Sequence, residues 1–293
     1  WLNGSPALGV LRAPRPHGMH KGSFGDVWIV GGAPSMGGAA LLAARAAAAA
    51  GAGRVHVAML DAAVAPLDPV HPELMFVPPD TLTGSGLERI AAATVVAGCG
   101  GGDLIRHQLP ALLSRATRLV LDADALNATA ADAALQALLR ARAPRGLLTV
   151  LTPHPLEAAR LLATGAPAVQ ADRLGAATRL AHALACIVVL KGSGSVIATP
   201  DGTAWINPTG NAALATPGTG DVLAGWLAGL WSRLDAAHGA NAAVLAARGS
   251  VHLHGSVAQA ERPSGHALGA AALVDAMARR SGDPDGAMGV QTP

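Results

Sequence analysis

Val27-Trp-Ile-Val-Gly-Gly-Ala-Pro-Ser-Met-Gly-Gly-Ala-Ala40 decides how the fold is read. Its first four residues are an uninterrupted apolar run, the pattern of a strand buried on both faces. Gly31 to Gly38 form a glycine-rich turn, and an alanine-rich helix is expected over 39–50. Strand, glycine turn and helix make the first unit of a doubly wound sheet. No Gly-x-Gly-x-x-Gly occurs there, so the turn is not a dinucleotide fingerprint.

The same unit recurs along the chain. Further strands are expected at 54–58, 73–77, 94–97, 119–121, 147–151 and 187–190, with a hairpin of 196–198 and 204–206 about Pro200-Asp-Gly202. Helices are expected at 104–114, 155–162, 171–183, 221–234, 241–260 and 267–280. The alternation predicts an α/β fold with a largely parallel central sheet. Polar and glycine-rich motifs fall just after strands: Gly31 to Gly38, Gly98 to Gly102, Asp122 to Asp124, Thr152 to His154 and Lys191 to Ser195. In an open α/β sheet that edge holds the ligand.

Several motifs bear chemistry. Gly218-Thr-Gly220 leads into a helix whose first turn holds Asp221. Free N–H groups at such a helix start suit a phosphate, and Gly218, Thr219 and Gly220 would form an anion hole. The residues alone leave Asp221 open between helix cap and catalytic carboxylate. Lys191-Gly-Ser-Gly-Ser195 offers an ammonium, two hydroxyls and a flexible backbone, which suits a nucleotide's phosphates or a plain turn. Four glycines within Gly98-Cys-Gly-Gly-Gly102 exceed what a turn needs and imply close approach of a ligand or backbone. Of Asp122 and Asp124, one is expected to cap the next helix. His154 and Glu157 are an i, i+3 pair, either a cap or a contact to substrate and metal-bound water. His252 and His254 are read as core-edge histidines, since their i, i+2 spacing points them apart.

Composition narrows the classes. The 293 residues suit one domain with a sizeable core. Net charge is +2, which implies no polyanion-binding surface, and two Phe with no Tyr leave few rings for stacking on bases. No nucleic-acid or membrane partner is expected. Two cysteines make neither a disulfide framework nor a zinc site; they read as small buried hydrophobes of a reduced cytoplasm. Residues 1–19 are rich in Pro and Gly and read as a linker or arm, and 281–293 as a flexible tail. A start at Trp1 reads as part of a longer or processed polypeptide.

The motifs in their order resemble the NAD(P)H-hydrate dehydratase family, a carbohydrate-kinase-like domain. The matching pieces are His20-Lys-Gly-Ser-Phe-Gly25, residues 31–40, Leu121-Asp-Ala-Asp-Ala-Leu-Asn127 and Leu151-Thr-Pro-His-Pro-Leu-Glu157. Leu190-Lys-Gly-Ser-Gly-Ser195, Thr209-Gly-Asn211 and Gly218-Thr-Gly-Asp-Val-Leu223 complete them. The resemblance implies a ribokinase-like domain over 20–280 with helices on both faces of the sheet. It implies dehydration of the 6S hydrate of NADH or NADPH using ADP, or ATP, with Mg²⁺. Carried over, Asp221 is catalytic; Ala39, Gly100, Gly102, His154 and Asp221 contact the hydrated substrate. Lys191, Gly192, Ser193, Gly194, Ser195 and Gly220 hold the nucleotide, while Glu157 stays open between the cap and the metal contact through water. The resemblance also implies a fused or separate epimerase, a cytoplasmic setting and a homo-oligomer, a tetramer by analogy. Departures from the family pattern fall at Cys99, at Ala212 to Leu214 and at Pro217. The rival readings are a kinase of the same fold for hydroxyethylthiazole, hydroxymethylpyrimidine or a sugar, and a nucleotide sensor without turnover.

Overall fold

The computed structural model describes residues 1–4, 17–78, 86–234 and 241–282, together with residues 82 and 239. Its centre is a nine-stranded sheet. In chain order the strands are β1 (Asp26–Gly31), β2 (Arg54–Met59), β3 (Met75–Val77), β4 (Thr94–Ala97), β5 (Arg118–Leu121), β6 (Leu148–Leu151), β7 (Ile187–Leu190), β8 (Val196–Ala198) and β9 (Ala204–Ile206). Their spatial order is β3-β2-β1-β4-β5-β6-β7-β8-β9. Pairings are parallel from β3 to β7, and β8 and β9 add an antiparallel hairpin. The order reverses between β1 and β4, so the crevice between their carboxyl ends is the topological switch point.

Alternate strand residues feed two separate cores. Val27, Ile29, Val57, Val96, Val120 and Val189 face one side, where α1 (Gly37–Ala49), α9 (Thr219–Arg233), α10 (Asn241–Glu261) and α11 (Ala270–Gly282) pack. Trp28, Val30, Val95, Leu119, Leu121 and Val188 face the other. That side is covered by α2 (Gly86–Ala92), α3 (Ile105–Arg115), α4 (Ala123–Ala130), α5 (Ala133–Arg140), α6 (Pro155–Leu161), α7 (Ala166–Ala171) and α8 (Arg173–Leu184). The alanines of α1 serve close helix packing. A Cβ at Gly225 of α9 would lie 2.0 Å from the Ala43 carbonyl oxygen, so the two backbones touch with no room for a side chain.

Some expectations need correction. Helices α2, α5 and α7 were not expected, whereas α4 starts at Ala123, where a helix was expected to follow Asp122 and Asp124. The helix expected at 171–183 is α8, which begins at Arg173 because Asp172 caps it by accepting from the Gly175 N–H at 2.8 Å. The edge strand β3 has three residues, where five were expected. Helix α11 runs through Gly282, and the expected tail from 283 onward lies outside the described residues, as do residues 5–16 of the expected arm. Residues 1–4 lie against the body: Leu2 bridges Ile206 in parallel, and Asn3 is wholly buried. Among the described residues, no helix is long and apolar enough to cross a membrane.

Candidate active site

The carboxyl ends of β4, β5, β6 and β7 bring four polar side chains together. Asp122, at the end of β5, is 2% exposed. Its Oδ1 accepts from Lys191 Nζ at 2.6 Å and from Thr152 Oγ1 at 2.7 Å. Asp122 occupies the N-cap position of α4, yet its side chain makes no capping hydrogen bond. Asp124 does not cap either; its Oδ2 accepts from the Gly102 N–H at 2.8 Å. The expected cap is therefore absent, because one carboxylate is drawn to Lys191 and the other ties the glycine turn after β4.

That turn is crowded by backbone, which accounts for its glycines. A Cβ at Gly98 would lie 2.0 Å from the Asp122 carbonyl oxygen, and one at Gly100 would lie 2.6 Å from that of Met36. Gly100 thus sits against the first turn of α1, with the Ala39 methyl 2.9 Å from the same point. Gly102 faces Met36 and Ala33. The two glycine-rich turns flank the switch point and bring Ala39, Gly100 and Gly102 to one crevice.

Helix α9 points its N-terminus at the same edge. Gly218 is its N-cap with φ of 90°, and no side chain caps the helix; the Thr219 N–H donates at a long 3.4 Å to the Thr216 carbonyl, and this helix start is the kind of end that suits an anion. Lys191 reaches across to it: a Cβ on Gly220 would be 3.2 Å from Nζ. Asp221 follows, half-buried. Single ligand atoms of Cys99, Asp122 and Asp221 all lie within 4.8 Å of one another. Burial, then the charge of Asp122, pushes the Asp221 carboxyl up to about 6, while a hydrogen bond from the Cys99 thiol and the charge of Lys191 oppose the rise. The Cys99 thiol itself is pushed well above its ordinary value by burial and by Asp221 and Asp122. Burial pulls the Lys191 ammonium down, but Asp122 and Glu157 outweigh it and raise it overall.

His154 and Glu157 form a capping box at the start of α6. His154 Nδ1 accepts from the N–H groups of Leu156 and Glu157 at 3.1 and 3.3 Å. Glu157 Oε2 accepts from the His154 N–H at 2.7 Å, and its Oε1 lies 3.1 Å from His154 Nε2. Burial pushes Glu157 up to about 7 and pulls His154 down. Each Glu157 oxygen already has one partner within the capping box. His154 stands half-exposed at the rim. Its ring nitrogens are both engaged, which leaves its carbon edge and face for a ligand.

A cavity of about 460 Å³ opens beside Lys191. The loop Lys191 to Ser195 forms one wall, residues 207–212 a second, and Thr219 with Gly220 the floor. His254 closes it from α10. Its Nε2 lies 2.9 Å from the Thr219 carbonyl, and burial pulls it down to about 4, so it is neutral and donates. The core-edge reading of His254 missed this. Asn207 and Thr209 were also unassigned wall residues; the Thr209-Gly-Asn211 motif was the available signal.

Magnesium finds no ready cage among the described residues. The one candidate cluster of three ligands contains the Cys99 thiol, which a hard cation disfavours, and Asp122 is already paired with Lys191. The residues present do not fit a protein-held Mg²⁺.

A profile described as NAD(P)H-hydrate dehydratase matches residues 27–273. The chain belongs to the NAD(P)H-hydrate dehydratase family. It is 42% identical over 254 residues to a bifunctional NAD(P)H-hydrate repair enzyme of Moorella thermoacetica, covering 81% of this chain and 45% of that protein. It is 41% identical over 219 residues to an ADP-dependent (S)-NAD(P)H-hydrate dehydratase of Neisseria meningitidis, covering 74% and 72%. A crystal structure of the Bacillus subtilis ADP/ATP-dependent NAD(P)H-hydrate dehydratase, co-crystallised with ATP and Mg²⁺, superposes with a TM-score of 0.76 at 29% identity. That match covers 95% of this chain and 96% of the other. The chain thus spans a little under half of the bifunctional relative, and its own fold is ribokinase-like, as the sequence reading expected.

Proposed function

We propose that this chain dehydrates the 6S hydrate of NADH or NADPH back to the dinucleotide, with ADP as phosphoryl donor and ATP as the alternative. One observation carries the reading. Asp221, whose carboxyl burial pushes up to about 6, lies within 4.8 Å of Cys99 and Asp122 and directly follows Thr219 and Gly220, which floor the cavity. A hydrated nicotinamide in the crevice and a nucleotide in the cavity would meet there. The names of the Moorella, Neisseria and Bacillus relatives support both ligands.

The chemistry follows from the positions. Asp221 takes the proton of the substrate hydroxyl as its oxygen bonds to the terminal phosphorus of the nucleotide. The bond from that phosphorus to the bridging oxygen breaks, and AMP leaves when ADP is the donor. The N–H groups of Gly218, Thr219 and Gly220 and the Lys191 ammonium receive the charge on the moving phosphoryl. Phosphate then departs with the C–O bonding electrons, and loss of a proton from the neighbouring carbon restores the ring double bond. The chain's task is positioning and electrostatics, as in phosphoryl transfer generally. Lys191, Gly192, Ser193, Gly194 and Ser195 cradle the nucleotide; Ala39, Gly100, Gly102 and His154 shape the nicotinamide side. Mg²⁺ would arrive with the phosphates and keep most of its water. An epimerase, fused or separate, would supply the 6S form, as the bifunctional relatives' names suggest. We also propose a cytoplasmic homo-oligomer, a tetramer.

The test is chemically hydrated NADH with ADP or ATP, followed at the NADH absorbance band. Recovery of absorbance supports the dehydratase. Nucleotide consumption only on adding a small alcohol would mean a kinase, and neither would mean a sensor.

A further inference from the structure

Asn3 belongs to the segment that sequence reading treats as an arm, yet it is 0% exposed. Its neighbours on either side point to solvent: Leu2 is 74% exposed and Gly4 is partly exposed. The segment lies along β9, where the Asn3 N–H donates to the Ile206 carbonyl at 2.8 Å and the Ile206 N–H donates to the Trp1 carbonyl at 2.9 Å. That pairing turns the Asn3 side chain inward beneath the cavity wall.

A buried amide needs each of its groups met. Asn3 Nδ2 donates to Asn207 Oδ1 at 3.0 Å and to the Arg248 carbonyl at 2.9 Å, and Asn3 Oδ1 accepts from Arg248 Nε at 3.1 Å. Asn207 is itself buried at 2% exposure. With its oxygen held by Asn3, its Nδ2 must face the other way. There it donates to Thr209 O and Thr209 Oγ1, both at 2.9 Å. Thr209 Oγ1 donates on to the His252 carbonyl at 3.0 Å. Asn207 and Thr209 are both wall residues of the cavity. An amide has one oxygen end and one nitrogen end, so whatever meets the oxygen decides where the nitrogen points.

We infer that Asn3 is a positioning residue of the nucleotide site, acting through the Asn207 amide to hold the loop from Asn207 to Asn211 against the bound nucleotide. The inference rests on the reading of the cavity as the nucleotide site. It ties the edge strand to nucleotide affinity through two side chains, with no contact between Asn3 and the ligand.

The experiment is direct titration of the full chain with ADP by calorimetry, beside steady-state kinetics, for wild type, Asn3→Ala, Asn207→Ala and the double variant. Loss of one such hydrogen bond corresponds to about fivefold in affinity. Asn3→Ala is therefore expected to raise Kd and KM for ADP about fivefold, with kcat and the KM for the hydrate within twofold of wild type. The double variant is expected to bind no more weakly than Asn207→Ala alone, because the same route is already cut. Unchanged ADP affinity in folded Asn3→Ala protein would overturn the inference. So would additive losses in the double variant, or an equal fall in every parameter together with Tm, which marks a structural role only. If Asn3→Ala yields no folded protein, Asn3→Ser keeps a donor toward Asn207. It is expected to retain most of the affinity, and loss of affinity equal to that of Asn207→Ala would overturn the inference. Failure of the wild-type chain to bind ADP or ATP would instead remove the nucleotide reading of the cavity, and this inference with it.

Discussion

Replacing Asp221 with Asn separates two properties that usually travel together. The amide keeps the shape of the carboxylate but takes no proton in this pH range. If Asp221 is the base, kcat should fall by ~10²–10⁴, the usual worth of general-base catalysis. Stability should move the other way. The Asp221 carboxyl is pushed from 3.8 to about 6, first by burial and then by Asp122. At 1.36 kcal/mol per unit, the ionised form carries strain of about 3 kcal/mol. An amide escapes the repulsion from Asp122 but still loses water on burial, so we expect it to recover about half, ~1–2 kcal/mol. For a chain of this size that raises Tm by roughly 2–3 °C. The sign depends on pH. Below about 4 the carboxyl is protonated in folded and unfolded chains alike, and the substitution gains little. The strain grows as pH rises from there through about 6, so the gain is full only above the folded value. The assay is hydrate turnover at saturating ADP, with thermal melts at pH 4 and pH 7.5. Near-wild-type turnover would refute the base. Since Gly218 is the N-cap and no side chain caps α9, a capping role could not then be substituted for it. An unchanged or lower Tm at pH 7.5 would refute the electrostatic account.

Other expectations follow from the same cluster. The pH profile of kcat/KM in wild type should fall on the acid side with an apparent value near 6, as Asp221 becomes protonated; a limb below 5 would refute this. Lys191→Met should weaken ADP binding by about tenfold or more and also lower Tm, since it leaves Asp122 buried without its partner; unchanged ADP affinity in calorimetry would sink the contact. Cys99→Ala removes the thiol that holds Asp221 down, so the acid limb should move to higher pH with the fold retained; a limb moving to lower pH, or not at all, would show the thiol to be a bystander.

The sheet was legible because its central strands are short, largely apolar runs that stop at Gly98, Asp122, Thr152 and Lys191. Helix α5 was not, because alanine gives little contrast between faces; Asp132, which caps it by accepting from the Ala134 and Leu135 N–H groups, was the one clear mark. Lys191 to Ser195 and Asp221 could be singled out from local motif chemistry. What Asp122 does could not, since its partner Lys191 is 69 residues away and local spacing suggested only a cap. For His154 and Glu157 an i, i+3 spacing permits a capping box and a ligand contact alike, and the distances show that the capping box is formed. Asn3 lay hidden for a plainer reason. A buried amide in a Pro- and Gly-rich segment has no periodic signature.

The backbone contact between α1 and α9 has a mechanical meaning. Helix α9 has 15 residues and is about 22 Å long. Pivoting at its far end, a tilt of one degree would swing its first turn by about 0.4 Å. But Gly225 is pressed against Ala43 only four residues beyond Asp221, a lever of about 6 Å. The same tilt about that fulcrum moves the carboxylate by about 0.1 Å, well inside the ~0.5 Å that a productive geometry tolerates. A missing methyl on one helix thus acts as a clamp that keeps the Asp221 carboxylate in place against small tilts of its helix.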